Sequence, residues 1–312
     1  MKNYKIIDET SPSPMVSVAM LTYNHERYIE EAIESVLMQK TNFPIQLVIA
    51  EDCSTDNTRS IIMRYQKQFP SKIKLLLQNE NIGAAHNNVD LLSNLSGKYV
   101  AALEGDDYWI DPLKLQKQVD FLEENKEYIA VGHQRIVVEN DIEKNYFSQD
   151  ILYTQCVLFK NIINEDYIKF SAGVFNGDTF LFNYLKLFGK VKNLDFVGAV
   201  YRMTGFGVYS SIDEINKINK ALETYSTLIS LQGKFKTKNS RNVFRQIKFS
   251  YADNLYAKAL YLIPTDKSLA LKQFYQFIIF IIQNNLFFKK QFVKSAINFM
   301  TRIFSKIKNE AV

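Results

Sequence analysis

Four short apolar runs recur along the first hundred residues, and the segments between them have a helical period. The runs are MVSVAML (15–21), IQLVIAE (45–51), IKLLLQ (73–78) and KYVAALE (98–104). Between the first two, HERYIEEAIESVLMQ (25–39) places Ile29, Ala32, Ile33, Val36 and Leu37 on one face with acids opposite, as an amphipathic helix does. DNTRSIIMRYQKQF (56–69), with Ser54 or Asp56 as its N-cap, and AAHNNVDLLSNL (84–95) read as two more helices. Strands that are apolar throughout must be covered on both faces. Strands that alternate singly with helices run parallel. The chain is thereby constrained to an α/β fold with a mostly parallel sheet between layers of helices.

Further along, DPLKLQKQVDFLEEN (111–125) predicts a helix with Pro112 in its first turn. YIAVGHQRIVVEN (128–140) predicts a strand, and residues 141–170 read as irregular. DTFLFNYLKLFG (178–189) reads as a helix ending at Gly189, and LDFVGAVYRM (194–203) as extended. From Ser211 onward only helical patterns occur, broken at Pro264, and there is no internal repeat. The division falls near 210, with an α/β domain over 1–210 and a helical region over 211–312. With 47% hydrophobic residues, 23 Phe and 18 Tyr, the chain can bury a sizeable core. Its two cysteines have no metal spacing and fit a reducing compartment. The polar start, MKNYKIIDETSPSP, has no apolar signal region, and the longest apolar run, FIIFII (277–282), is too short to span a bilayer.

In an open parallel sheet, ligands bind beyond the carboxyl ends of the strands. Three of those ends are polar: TYNH (22–25), EDCSTDNT (51–58) and EGDDYW (104–109). Neighbouring carboxylates oppose one another's ionisation unless a cation lies between them. A hard divalent ion, Mg²⁺ or Mn²⁺, held by one or two carboxylates and by substrate phosphates, accounts for Glu104, Asp106 and Asp107 together. Helix capping is the competing account, and it suits Asp111 ahead of Pro112 well. Neither G-x-G-x-x-G after the first strand nor G-x-x-x-x-G-K-[ST] is present, which argues against dinucleotide and P-loop sites.

Four motifs, in order and spacing, resemble the family 2 glycosyltransferases with a GT-A fold: VSVAMLTYNHERYIEEAIESVLMQ, LVIAEDCSTDNT, NENIGAAHNN and GKYVAALEGDDYWIDPLKLQKQ. They cover residues 14–125, and a weaker match continues through NGDTFLF (176–182) and YRMTGFGVYS (201–210). The resemblance implies a GT-A nucleotide-diphospho-sugar transferase fold with a helical C-terminal extension. It also implies a nucleoside-diphosphate sugar donor and a divalent metal. By position, Thr22 and Tyr23 would lie against the nucleobase and Asp52 would accept a base N–H, with Glu51 capping or buttressing. The E-G-D stretch stands where the family has D-x-D. Glu104 would face the ribose and Asp106 would bind the metal, with Asp107 sharing that task or orienting the acceptor. Asp178 occupies the place of the general base that inverting transfer needs, or else caps its helix. Arg202 would lie near the diphosphate.

The chain departs from the family at two places. Thr204 stands where relatives carry a His, and Asn87-Asn88 where they carry Arg-Asn. His25, His86 and His133 have no ligand spacing and read as structural or surface residues. Trp109 would stack on a sugar ring or acceptor, or else belong to the core. Cys53 reads as a small packing residue.

Near the C-terminus, KKQFVKSAINFMTRIFSKIKN (289–309) aligns Val293, Ile297, Met300, Phe304 and Ile307 in one stripe flanked by Phe292, Ala296, Phe299 and Ile303. Lys289 to Lys308 carries six basic residues and no acid. A basic amphipathic helix of this kind suits an anionic membrane surface; the alternative is a terminal helix packed on its own domain. Basic residues alternating with bulky apolar ones do not suit nucleic acid. These features predict a cytoplasmic enzyme, peripheral on the inner face of the membrane, that transfers sugar to a glycan or lipid-linked acceptor in polysaccharide or O-antigen assembly. Two other readings are a metal-dependent sugar-phosphate nucleotidyltransferase and a non-catalytic nucleotide-sugar-binding partner.

Overall fold

The computed structural model describes residues 4–139, 142–146, 152–205, 212–286 and 290–310, with side chains at 144–146, 290–291, 293 and 304–310 left out. The chain divides into two compact units, Met1–Val208 and Tyr209–Val312. In the first, elements run β1 (Tyr4–Ile7), β2 (Val16–Thr22), α1 (Ile29–Leu37), β3 (Ile45–Glu51), α2 (Thr58–Gln68), β4 (Ile73–Gln78), α3 (Ala84–Leu92) and β5 (Tyr99–Glu104). There follow β6 (Tyr108–Trp109), α4 (Lys114–Glu124), β7 (Tyr128–Glu139), β8 (Ile142–Tyr146), a 3₁₀ turn (Thr154–Cys156), β9 (Leu158–Lys160), α5 (Glu165–Ser171), α6 (Gly177–Lys186) and β10 (Lys190–Arg202). Residues 141–170 thus hold more regular structure than their composition suggests.

The strands form one sheet in the order β1-β4-β3-β2-β5-β9-β7-β10-β6, with β8 on β7. The β4-β3-β2-β5 block is parallel, as the apolar runs require. Beyond β5 the sheet is mixed. β9 pairs antiparallel with both β5 and β7, β10 runs parallel to β7, and β6 closes antiparallel on β10.

Period-2 alternation divides the central strands between two cores. Val16, Val18 and Met20 of β2, Leu47 and Ile49 of β3, and Tyr99, Ala101 and Leu103 of β5 join Ile29, Ile33 and Val36 of α1 in one cluster. Ala19, Val48, Ala50 and Val100 join Leu91 of α3 and Leu185 of α6 in the other. Most of these side chains are fully buried. Each large aliphatic among them contributes about 1.5–3 kcal/mol by leaving water, so the frame beneath the strand ends is stiff.

The second unit contains α7 (Glu214–Ser230), α8 (Ser240–Leu262), α9 (Lys267–Gln283) and α10 (Lys290–Glu310). Asp213 and Asp266 cap α7 and α9 by accepting from Asn216 N and Leu269 N. Ala252, Leu255 and Ala259 of α8 pack with Ala270, Phe274, Phe277 and Ile281 of α9 and with Phe292, Phe299 and Ile303 of α10. The Phe274 and Phe299 rings stack at 4.0 Å. The flanking positions of the α10 stripe are therefore core, whereas Ile297 is 64% and Met300 41% exposed. The side chains of Val293, Phe304 and Ile307 lie outside the described residues. Among those residues no helix is long and apolar enough to cross a membrane.

Candidate active site

The loops leaving β2 and β3 turn sharply at equivalent places, with Asn24 (φ 55°) and Cys53 (φ 58°) both in the left-handed region. The two loops are hydrogen-bonded to each other. Asn24 N donates to Ser54 Oγ at 3.0 Å, Thr55 N to Asn24 Oδ1 at 2.9 Å, and Glu26 N to Asp56 Oδ2 at 3.0 Å. His25 N donates to Thr58 Oγ1 at 2.8 Å. Strand ends meet in the same way, with Asp52 N donating to Thr22 O and Gly105 N to Leu21 O. Thr22, Asp52 and the E-G-D stretch are thereby held along one edge.

Asp52 is 3% exposed, and its carboxylate accepts from Ile82 N (2.8 Å) and Gly83 N (2.9 Å). It braces the loop after β4, where the sequence suggested only a base contact. Burial raises its pKa against the lowering effect of those two bonds. Glu51 is the buttress: fully buried, it accepts from Ser54 N and pairs with Arg59. Asn87, read as the place of a missing cation, is buried and donates to Ala50 O at 3.0 Å while accepting from Gln78 Nε2 at 3.1 Å. Tyr23 is 40% exposed beside these loops.

Glu104, Asp106 and Asp107 offer ligand oxygens that all lie within 4.8 Å of one another. Burial, then the charges of Asp106 and Asp178, push the Glu104 carboxyl up to about 7. Asp107 is 1% exposed, and burial with the adjacent Asp106 and Glu104 raises its pKa strongly. Its Oδ1 accepts from Arg202 N at 2.9 Å, whereas its buried Oδ2 has no partner among the described residues. Three clustered carboxyls, one with an orphaned buried oxygen, fit a hard divalent cation in both donor type and charge.

Arg202 ends β10 beside them. Its Nη1 donates to Asp106 O at 2.9 Å, its Nη2 pairs with Glu31, and its guanidinium lies 4.2 Å from the Tyr108 ring centroid. Asp178 lies exposed in the first turn of α6, where its Oδ1 accepts from Thr179 N at 2.5 Å. Its charge reaches Glu104. A Cβ on the preceding Gly177 would stand 3.6 Å from Asn88 Nδ2, so α6 begins next to α3. Thr204 is half-buried, and the GFGVYS stretch after it, from residue 206, lies outside the described residues.

Trp109 corrects the acceptor-stacking expectation. It is 1% exposed and donates from Nε1 to Gln155 O at 2.8 Å, over the Nζ of Lys114 at 3.9 Å. Strand alternation in β6 is the reason: Tyr108 goes to the Arg202 side and Trp109 into the core. Lys114, fully buried and donating to Gln118 Oε1, is pulled down to about 7 by that burial. His133 is likewise buried, stacked on Phe196 at 4.8 Å, as a structural histidine should be.

His25 is the residue that the sequence reading undervalued. Its Nδ1 is 3.3 Å from Thr22 Oγ1 and its Nε2 is 4.0 Å from Asp106 Oδ2. Burial lowers its pKa, in part offset by Asp106 and Asp56. The available signal was its place three residues past Thr22, on the same edge as the acids.

Comparison with known proteins adds the following. The family model described as "Glycosyl transferase family 2" matches residues 17–191, more than half of the chain. An uncharacterized protein of Mycobacterium tuberculosis is 32% identical over 212 residues, covering 63% of this chain and 61% of the relative. The putative teichuronic acid biosynthesis glycosyltransferase TuaG of Bacillus subtilis is 40% identical over 115 residues (37% of this chain, 44% of the relative). The Escherichia coli UDP-Glc:alpha-D-GlcNAc-diphosphoundecaprenol beta-1,3-glucosyltransferase WfgD is 34% identical over 148 residues (47% and 56%). The chain thus spans less than two thirds of the length of these curated relatives. Two solved structures share the fold at 16% identity. S. aureus TarS 1-349 in complex with UDP has a TM-score of 0.59, covering 86% of this chain and 80% of that one. The mannosyltransferase PcManGT from Pyrobaculum calidifontis, in complex with GDP-Man and Mn²⁺, has a TM-score of 0.56, covering 97% and 89%.

Proposed function

The chain belongs to glycosyltransferase family 2, and from that premise we propose that it moves a sugar, with inversion, from a nucleoside diphosphate to a glycan or lipid-linked acceptor in cell-surface polysaccharide assembly. The observation that carries this reading is the E-G-D-D cluster with the orphaned Asp107 oxygen, lying at the strand ends between Thr22 and Arg202. Glu104, Asp106 and Asp107 would hold Mn²⁺ or Mg²⁺, which when bound offsets the charge developing on the departing diphosphate. Thr22, Tyr23 and Asp52 line the nucleoside end, with Glu104 toward the ribose.

Asp178 removes the proton of the acceptor hydroxyl as its oxygen bonds to the anomeric carbon and the bond from that carbon to the diphosphate breaks. The electron pair leaves with the diphosphate, and Arg202 supports the resulting anion through its planar fork of donors. The names of TuaG and WfgD, a polysaccharide enzyme and one acting on a diphosphoundecaprenol acceptor, support the acceptor class. The Mn²⁺ in PcManGT supports the metal.

A panel of nucleotide sugars with Mn²⁺ tests the proposal. One of them is expected to stabilise the protein thermally and to release free nucleoside diphosphate on turnover. Release of pyrophosphate from a nucleoside triphosphate and a sugar 1-phosphate, supplied in a parallel assay, would instead identify a nucleotidyltransferase, and binding of a nucleotide sugar without turnover a non-catalytic partner.

The proposed setting is the cytoplasmic face of the membrane, reached through α10. Ile297 and Met300 are exposed on it, next to exposed Lys294 and Arg302. Ile297→Ser with Met300→Ser is expected to reduce sedimentation with anionic vesicles without lowering the melting temperature, because neither side chain belongs to the helical core. Unaltered sedimentation would reject α10 as the contact.

A further inference from the structure

We propose that His25 is a nitrogen ligand to the divalent cation held at Asp106, an inference that rests on reading the acid cluster as a cation site. The separation of 4.0 Å between His25 Nε2 and Asp106 Oδ2 is too long for a hydrogen bond. Two donors on one octahedral ion, each about 2.1 Å from it, lie about 3.0 Å apart when adjacent and about 4.2 Å when opposite, so the observed separation lies between the two and a shift of at most about an ångström brings both atoms onto one ion. Among the described residues Nε2 has no hydrogen-bond partner.

The other ring nitrogen is already engaged. Nδ1 lies 3.3 Å from Thr22 Oγ1, and with Nδ1–H as the donor the lone pair resides on Nε2, facing Asp106. Metal-binding histidines are oriented in this way, by a bond from the nitrogen that does not bind.

The ring is also held from beneath and behind. A Cβ at Gly105 would come within 2.7 Å of both His25 Nδ1 and Thr22 Oγ1. The imidazole therefore lies directly on the backbone that joins Glu104 to Asp106, and glycine between the two acids leaves room for it. Its own backbone is tied to Thr58 Oγ1 and follows the left-handed Asn24. Asp107 Oδ2, buried and unpartnered, supplies a second and independent sign that the cluster is built around something it does not itself contain. A nitrogen donor in an otherwise oxygen-lined site favours Mn²⁺ over Mg²⁺, the harder ion that prefers oxygen and water.

Electron spin-echo spectroscopy of the full-length protein loaded with Mn²⁺ alone provides the test. ¹⁴N modulation is expected in the wild type and is expected to vanish in His25→Ala and His25→Gln. In titrations followed by the free-Mn²⁺ signal, Mn²⁺ affinity should fall about 10-fold or more, with a smaller loss for Mg²⁺ measured by competition. A Mn²⁺-loaded wild type without ¹⁴N modulation, or modulation that persists in His25→Ala, would overturn the assignment; the wild-type spectrum makes this independent of how the variants fold. If Asp106→Asn abolishes Mn²⁺ binding and His25→Ala leaves it unchanged, the cation site stands and His25 is not part of it. If the wild type takes up no Mn²⁺, both fall together.

Discussion

Asp178→Asn is expected to lower turnover by about 100- to 10,000-fold while leaving nucleotide binding unchanged. The substitution is chosen because the carboxylate has two separable tasks. Its Oδ1 accepts from Thr179 N in the first turn of α6, a local bond that an amide oxygen preserves. Among the described residues its other oxygen has no hydrogen-bond partner, and it lies exposed within electrostatic reach of Glu104. Asparagine keeps the helix turn and removes the base. If transfer persists at wild-type rate, Asp178 only shapes the helix start; if melting temperature and transfer fall together, the loss is structural. The clean result is lost transfer with intact folding and intact donor binding, read by calorimetry with the sugar nucleotide that the panel identifies.

Asp106→Ala is expected to have an equally large and opposite pair of effects. Metal-dependent donor binding should disappear, because the remaining carboxyls hold less charge and Arg202 loses none of its own. The metal-free protein, by contrast, should become more stable above neutral pH. Burial, with the charge of Asp106 added, raises Glu104 to about 7 and raises Asp107 strongly. A carboxyl whose folded pKa is raised carries no penalty while it is protonated in both states. The penalty opens as pH rises past its ordinary value and is complete above the folded one. Removing Asp106 relieves the part of that penalty that its charge adds to burial, so for Glu104 the stability difference between variant and wild type should grow between about pH 4.5 and 7 and then level off. Thermal melts in chelator across this range check it. A wild type that is the more stable of the two at pH 8 without metal would contradict the electrostatic account of the cluster.

The sequence was most informative where one physical rule acts alone. Continuous apolar runs such as Val16–Leu21 have a single solution, a strand covered on both sides, and the parallel block follows from their alternation with helices. The polar strand ends were legible for the same reason, since Thr22, Asp52 and Glu104 must emerge where their strands stop. Two rules in competition were harder to read. Trp109 has the chemistry of a sugar platform, yet in a two-residue strand its neighbour Tyr108 takes the open side. Asp52 was read only as a base contact, and the bonds that its two oxygens also accept from the backbone of Ile82 and Gly83 could not be foreseen from the sequence. His25 was obscure because its partner, Asp106, lies eighty-one positions away, and no local spacing encodes that meeting. The mixed strands β8 and β9 escaped notice because each is short and lacks the apolar continuity of the first four.

The bond between Asp107 and the backbone of Arg202 spans 95 positions of chain, and this has a bearing on when the centre comes into being during synthesis. β2, β3 and β4 can associate with their helices early in synthesis, since β3 pairs with its sequence neighbours β2 and β4, and β5 then adds to the far edge of β2. The acids arrive with them, but one stays uncovered until the last strand of the unit threads between β7 and β6. A nascent chain halted before that strand would carry a formed scaffold and an open, water-filled acid pocket. Competence is thus deferred to the final step of assembly, and a truncated product would have the scaffold without the centre.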